Sequence, residues 1–156
     1  MDIQPFIQFD QELLLKMNGS NSLFWDGFMW LATNMLTWMP FAAILLYVII
    51  KNNKIKEAFW VIGMLALVIL LADQISSGIC KPYFARFRPT QDPLLMYQID
   101  IVNGYRGGIY GFTSSHAANT FGVAVFLSLV IRSWSLSTIL FIWAVLNAYS
   151  RIYLGV

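Results

Sequence analysis

AFWVIGMLALVILLADQISSGIC, residues 58–80, runs straight into KPYFARFRP, residues 81–89, and this junction decides the fold. The first stretch carries one charged side chain, Asp73, and is long enough to cross a hydrocarbon layer as a helix. A surface helix of a soluble protein would keep a polar face, and this stretch has none. Working outward, residues 27–50 form a second apolar run, in which Pro40 predicts a kink that neighbouring helices tolerate in a bilayer. A third span starts near Ser114 and ends before Arg132, and a fourth covers 136–149 after a cap at Ser133 and Ser135. Upstream, residues 2–18 repeat Phe6, Phe9, Leu13 and Met17 at helical spacing against Gln8, Asp10 and Glu12, and Asn18-Gly19 reads as the stop. That segment is too short and polar to span, so it is expected to lie along the interface, with Phe24 and Trp25 as anchors. The predicted fold class is all-α: a multi-pass transmembrane bundle of four spans plus an N-terminal amphipathic helix, in one domain over residues 1–156.

Composition agrees. With 58% hydrophobic and 12% charged residues, the chain belongs with membrane proteins rather than soluble globules. A net charge of +2 without a basic block gives no reason to expect a nucleic-acid partner. Cys80 is the sole cysteine and His116 the sole histidine, so neither an intrachain disulfide nor a His-metal cluster is expected. The acidic start MDIQPFIQFDQE lacks the basic n-region of a signal peptide.

Lys51, Lys54 and Lys56 crowd the loop between the first two spans, and the positive-inside rule puts that loop in the cytoplasm. Arg132 lies on the same side. The 82–112 loop and Ser150-Arg151 then fall on the outer face, although Arg86, Arg88 and Arg106 make that loop basic as well.

Alternation of four spans brings three polar clusters to one face: Lys81 with Arg88-Pro89, Thr113-Ser114-Ser115-His116, and Ser150-Arg151. Arginine offers phosphate a planar donor fork, and lysine adds a point charge. The Ser/Thr cluster is a helix start, where unpaired backbone N–H groups and the dipole attract an anion, and His116 falls in its first turn. Each cluster has an ordinary explanation: juxtamembrane cations touching headgroups, a cap, or an arginine at a helix end. Pro82 disfavours helix at Lys81. Asp73, an ionisable group inside a span, marks a functional position and is expected to orient a nearby basic residue.

In order and spacing these pieces resemble the type 2 phosphatidic acid phosphatase superfamily of lipid phosphate phosphatases, whose signature is K-x6-RP, then PSGH, then SR-x5-H. Lys81 to Arg88-Pro89 completes the first element. Thr113-Ser114-Ser115-His116 is the second, with threonine for proline and serine for glycine. Ser150-Arg151 opens the third, and the sequence ends at Val156, one residue short of its histidine. The resemblance implies that Lys81, Arg88 and Arg151 grip the phosphate, that Ser114 and the Ser115 N–H add hydrogen bonds, and that His116 is the general acid. The family uses no metal or other cofactor and attacks phosphorus with the histidine of the third element. As given, the chain is expected to hold the cage and the acid, to lack the nucleophile and to be inactive. A truncated enzyme is expected rather than a pseudoenzyme that binds phospholipid headgroups. The implied activity is hydrolysis of a membrane lipid phosphate or pyrophosphate at the periplasmic or extracellular face of the inner membrane. Undecaprenyl pyrophosphate is the first expectation, with phosphatidylglycerophosphate and lipid A phosphates beside it. A small transporter lined by Asp73 is a rival from another class.

Overall fold

The computed structural model describes residues 4–20 and 22–156. Among them, six helices carry the fold: α1 Gln4–Met17, α2 Leu23–Thr33, α3 Met39–Asn52, α4 Ile55–Phe84, α5 Ser115–Ile131 and α6 Trp134–Tyr153. Three stretches are long and apolar enough to cross a membrane: α4, α6, and Met35–Asn52, which contains α3. The fourth apolar helix, α5, has 17 residues, and at 1.5 Å per residue it reaches about 26 Å. The protein is an all-α membrane bundle. The expected helix at 2–18 is seen from Gln4 to Met17, and residues 2 and 3 lie outside the described part.

The core explains why α5 is central. Val123, Ala124 and Leu127 of α5 pack with Leu140 and Ala144 of α6, Ala58 of α4, and Leu45 and Ile49 of α3. Ala124 and Ala144 are fully buried; small residues let helix backbones approach where lipid leaves no hydrophobic drive for association. Gly122 serves the same end, because a Cβ there would sit 3.2 Å from Val68 Cγ1. The outer faces carry large apolar side chains instead, Phe59 and Trp60 each being 71% exposed. A surface like that suits hydrocarbon, not water.

Two local expectations are corrected. The 27–50 run is not one kinked helix: α2 ends at Thr33, Asn34 is extended, and a 3-10 turn follows at Met35–Trp38. The Asn34 side chain accepts from the Leu36 N–H at 3.0 Å, an alternative to continued helix that asparagine supplies readily. Pro40 then sits in the first turn of α3, where its missing N–H costs nothing. Pro82 likewise does not stop the helix before Lys81. The chain widens into π-type turns over Gln74–Cys80, the Lys81 N–H bonds the Ser76 carbonyl, and helix persists to Phe84. A π-type turn changes which carbonyls need a donor, so the proline ring is accommodated.

Past Phe84, Ala85 turns left-handed at φ 44° and the 86–112 loop folds over the ends of the helices. Thr90 is its buried pivot: its Oγ1 donates to the Arg106 carbonyl at 2.8 Å and its N–H to the Gly155 carbonyl at 3.2 Å. The Arg106 guanidinium returns a bond to the Thr90 carbonyl at 3.2 Å. Arg86 and Asp10 form an ion pair that ties α1 to this loop.

Candidate active site

Asp73, Ser77 and Lys81 are four residues apart and stack along one side of α4. Lys81 Nζ donates to Ser77 Oγ at 3.2 Å, and Ser77 Oγ lies 3.4 Å from Asp73 Oδ1. Across the interface, Lys81 Nζ donates to Ser115 Oγ at 2.7 Å. Ser77 Oγ and Ser76 Oγ approach the same oxygen at 2.8 and 3.0 Å, and Ser76 Oγ also reaches the Thr113 carbonyl at 3.1 Å. The ammonium is thus fixed at the junction of α4 and α5 by a chain of hydroxyls. Asp73 acts on it through Ser77.

Arg88 is positioned by backbone. Its N–H bonds the Ile109 carbonyl at 2.9 Å and its Nε the Tyr110 carbonyl at 3.1 Å. The facing 109–111 segment must come close here. A Cβ at Gly111 would meet Arg88 Cγ at 2.9 Å, so the absence of a side chain is what admits the arginine. Burial, and then the neighbouring Arg151 charge, hold the Arg88 guanidinium below its ordinary pKa. Like charges brought together this way raise the affinity for an anion.

Arg151 is buried in the last turns of α6, and its Nη1 donates to Thr33 Oγ1 at the end of α2 at 2.8 Å. Its guanidinium carbon stands 5.8 Å from the centre of the Tyr105 ring, within cation–π range. Tyr105 is also within electrostatic reach of Arg88 and packs edge-on against Trp30 at 5.7 Å. One tyrosine therefore spaces the two arginines.

The start of α5 supplies the rest. Ser114 caps the helix, its Oγ accepting from the Ala117 N–H at 3.4 Å. The first N–H groups of α5, Ser115 among them, lack helical partners and carry the positive end of the dipole. His116 is exposed in this turn and within electrostatic reach of Arg151, Arg88, Lys81 and Asp73. Among the described residues, no group of three or more His, Cys, Asp or Glu side chains is placed to hold a metal ion.

Of the residues singled out from sequence, Lys81, Arg88, Ser115, His116 and Arg151 come together, and Asp73 joins them through a serine. Ser114 is committed to its cap. Ser76 and Ser77 were missed, although the 73–77–81 spacing marks Ser77. Thr33 was missed as well, and nothing local betrays it, because it meets Arg151 only through tertiary packing. Arg106 is occupied in holding Thr90, whereas Tyr105 sits at the site.

A bundle that gathers two arginines, a lysine, a helix start and a histidine at one face has the makings of a phosphate-handling membrane protein. Residues 62–156 match the PAP2 superfamily, and the chain belongs to it. It is 43% identical, over 98% of its length, to a Bacteroides thetaiotaomicron protein named lipid A 4'-phosphatase, 68% of which is covered. A Porphyromonas gingivalis protein of the same name is 36% identical over 99% of the chain, with 65% of that relative covered. The chain thus spans about two thirds of the length of these curated relatives. No solved structure matches it significantly.

Proposed function

We propose that the protein removes a phosphate group from a membrane lipid, with a lipid A phosphate as substrate, at the periplasmic face of the inner membrane. One observation carries this reading: the cations Lys81, Arg88 and Arg151 all lie within electrostatic reach of the exposed His116 at the start of α5, where Lys81 Nζ donates to the neighbouring Ser115 Oγ at 2.7 Å. The three cations and the Ser115 N–H bind the non-bridging oxygens and stabilise the charge that grows on them in the transition state. Ser115 Oγ, accepting from Lys81, keeps the ammonium aimed at that cage. The reaction needs the histidine of the family's third signature element, whose place in that pattern is the position after Val156. Its ring nitrogen bonds to phosphorus as the phosphorus–oxygen bond to the lipid breaks, and His116 gives a proton to the departing oxygen. Water then cleaves the phosphorus–nitrogen bond and releases inorganic phosphate.

The names of the two relatives favour lipid A phosphate over undecaprenyl pyrophosphate. Orientation rests on the lysine-rich turn between α3 and α4, at the other end of α4 from Lys81. The test is phosphate release by the full-length protein in detergent, with each lipid offered separately and the products weighed by mass spectrometry. Loss of one phosphate from lipid A supports the proposal. Turnover of undecaprenyl pyrophosphate alone overturns the substrate, and binding of both lipids without turnover of either would reveal a non-catalytic lipid-binding protein.

A further inference from the structure

We propose that the cleft between α1 and the 86–112 loop seats the acyl portion of the substrate nearest its phosphate, and that α1 thereby selects the lipid. This rests on the phosphatase reading above. A cavity of about 360 Å³ is bounded at one end by Ser114 and Arg151, and so opens onto the phosphate cage. Its flanks are apolar: Leu13 and Met17 of α1 on one side, Phe87 and Phe112 of the loop on the other. A volume in the range of about 300–1,000 Å³ is usual for small-molecule sites.

The apolar side chains along this cleft keep one face open, although Phe112 packs edge-on against Phe84 at 4.9 Å and Phe87 lies against Tyr110 at 5.8 Å. Leu13 is 45% exposed, Phe87 46% and Phe112 41%, and α1 has no buried residue along its whole length. An amphipathic helix with no core to fill would ordinarily lie loose on the bilayer surface. Here it is fastened at two points. Asp10 pairs with Arg86 at the rim of the cleft. After the last turn of α1, the Asn18 carboxamide donates to the Tyr153 carbonyl at 2.8 Å and accepts from the Asp100 N–H at 2.7 Å. The helix is therefore a fixed apolar wall with its open side toward the cage. Beyond the Asp10–Arg86 pair, a second cavity of about 470 Å³ continues between α1 and the loop. A phosphate ester gripped by Arg151 must direct its remaining atoms away from the cations, and this cleft adjoins Arg151 with hydrocarbon-compatible walls. Hydrocarbon gains from leaving water for such a surface; a hydrophilic phosphate ester does not.

The test narrows the cleft without touching the cage. Met17→Trp and Leu13→Trp are made in the full-length protein, and kcat/KM is measured with lipid A in detergent micelles and with water-soluble p-nitrophenyl phosphate. In both variants kcat/KM for lipid A is expected to fall about tenfold or more, while that for p-nitrophenyl phosphate stays within about twofold. Turnover of the soluble ester also reports that the variants fold. Equal slowing of both substrates, or of neither, overturns the cleft and leaves the phosphatase standing. If the unmodified protein hydrolyses neither substrate, the phosphatase reading falls and the cleft with it.

Discussion

Tyr153 Oη donates to Asp26 Oδ1 at 2.6 Å, joining the end of α6 to the first turn of α2. Tyr153 is 3% exposed, and its phenol also meets Ser20. The bond lies two residues past Arg151, so it steadies the stretch that presents that arginine. Tyr153→Phe takes the donor from a half-buried carboxylate and is expected to cost about 0.5–1.5 kcal/mol. A fall in the unfolding temperature in detergent, together with reduced kcat on lipid phosphate, checks this. Unchanged values of both would remove the tyrosine from any supporting role.

Lys81 and Ser115 should behave as one unit. Lys81→Met is expected to lower kcat by about 10²–10³, the scale of removing a donor from a preorganised oxyanion site. Ser115→Ala alone should cost about tenfold, because the ammonium loses its 2.7 Å acceptor. Added to Lys81→Met, it should cost little more, since the two effects share a contact. Steady-state phosphate release on the four proteins of this cycle decides it, and simple additivity would show that Ser115 acts independently.

His116→Ala tests proton donation. With a lipid alkoxide leaving group, kcat should fall by about 10²–10⁴. With p-nitrophenyl phosphate, whose leaving group needs no proton, the loss should be much smaller. Equal losses on both substrates would assign His116 to phosphate binding instead.

Gly155→Ala probes the turn after α6. Gly155 adopts φ +67°, and a Cβ there would lie 2.7 Å from Ile99 Cγ2. Strain and overlap together are expected to cost at least about 1–3 kcal/mol. Thermal unfolding measures the stability, and the break of the Thr90–Gly155 bond should appear as faster hydrogen exchange at the Thr90 amide. A variant as stable as the parent would show that the turn has room to relax.

What sequence conveys here follows from how local each cause is. The apolar runs and the three polar clusters were legible because hydrocarbon thickness and helix starts are written in contiguous residues. The break at Asn34 was hidden, since an apolar run gives no sign that one carboxamide will outcompete the next helical bond. Lys81 was expected near a helix stop, yet π-type turns carried the helix past Pro82. Contacts such as Arg151 with Thr33, or Tyr105 between two arginines, join residues with no shared spacing. Only packing reveals them. The proposed substrate moved for a different reason: the composition of the 86–112 loop names no headgroup, and the preference for lipid A rests on the names of the two relatives.

The Asn18–Tyr153 bond closes a separation of 135 residues. Contacts between such distant positions form late, because the intervening chain must be ordered before they can hold. α1 precedes the other described helices in the sequence, so its bond to Tyr153 has to await α6. The arginine at the end of α6 reaches its final setting only when that helix has been inserted and clasped. Until then Arg151 is missing from the company of Lys81 and Arg88, and the three-cation cluster is complete only when the last described helix has packed against the others.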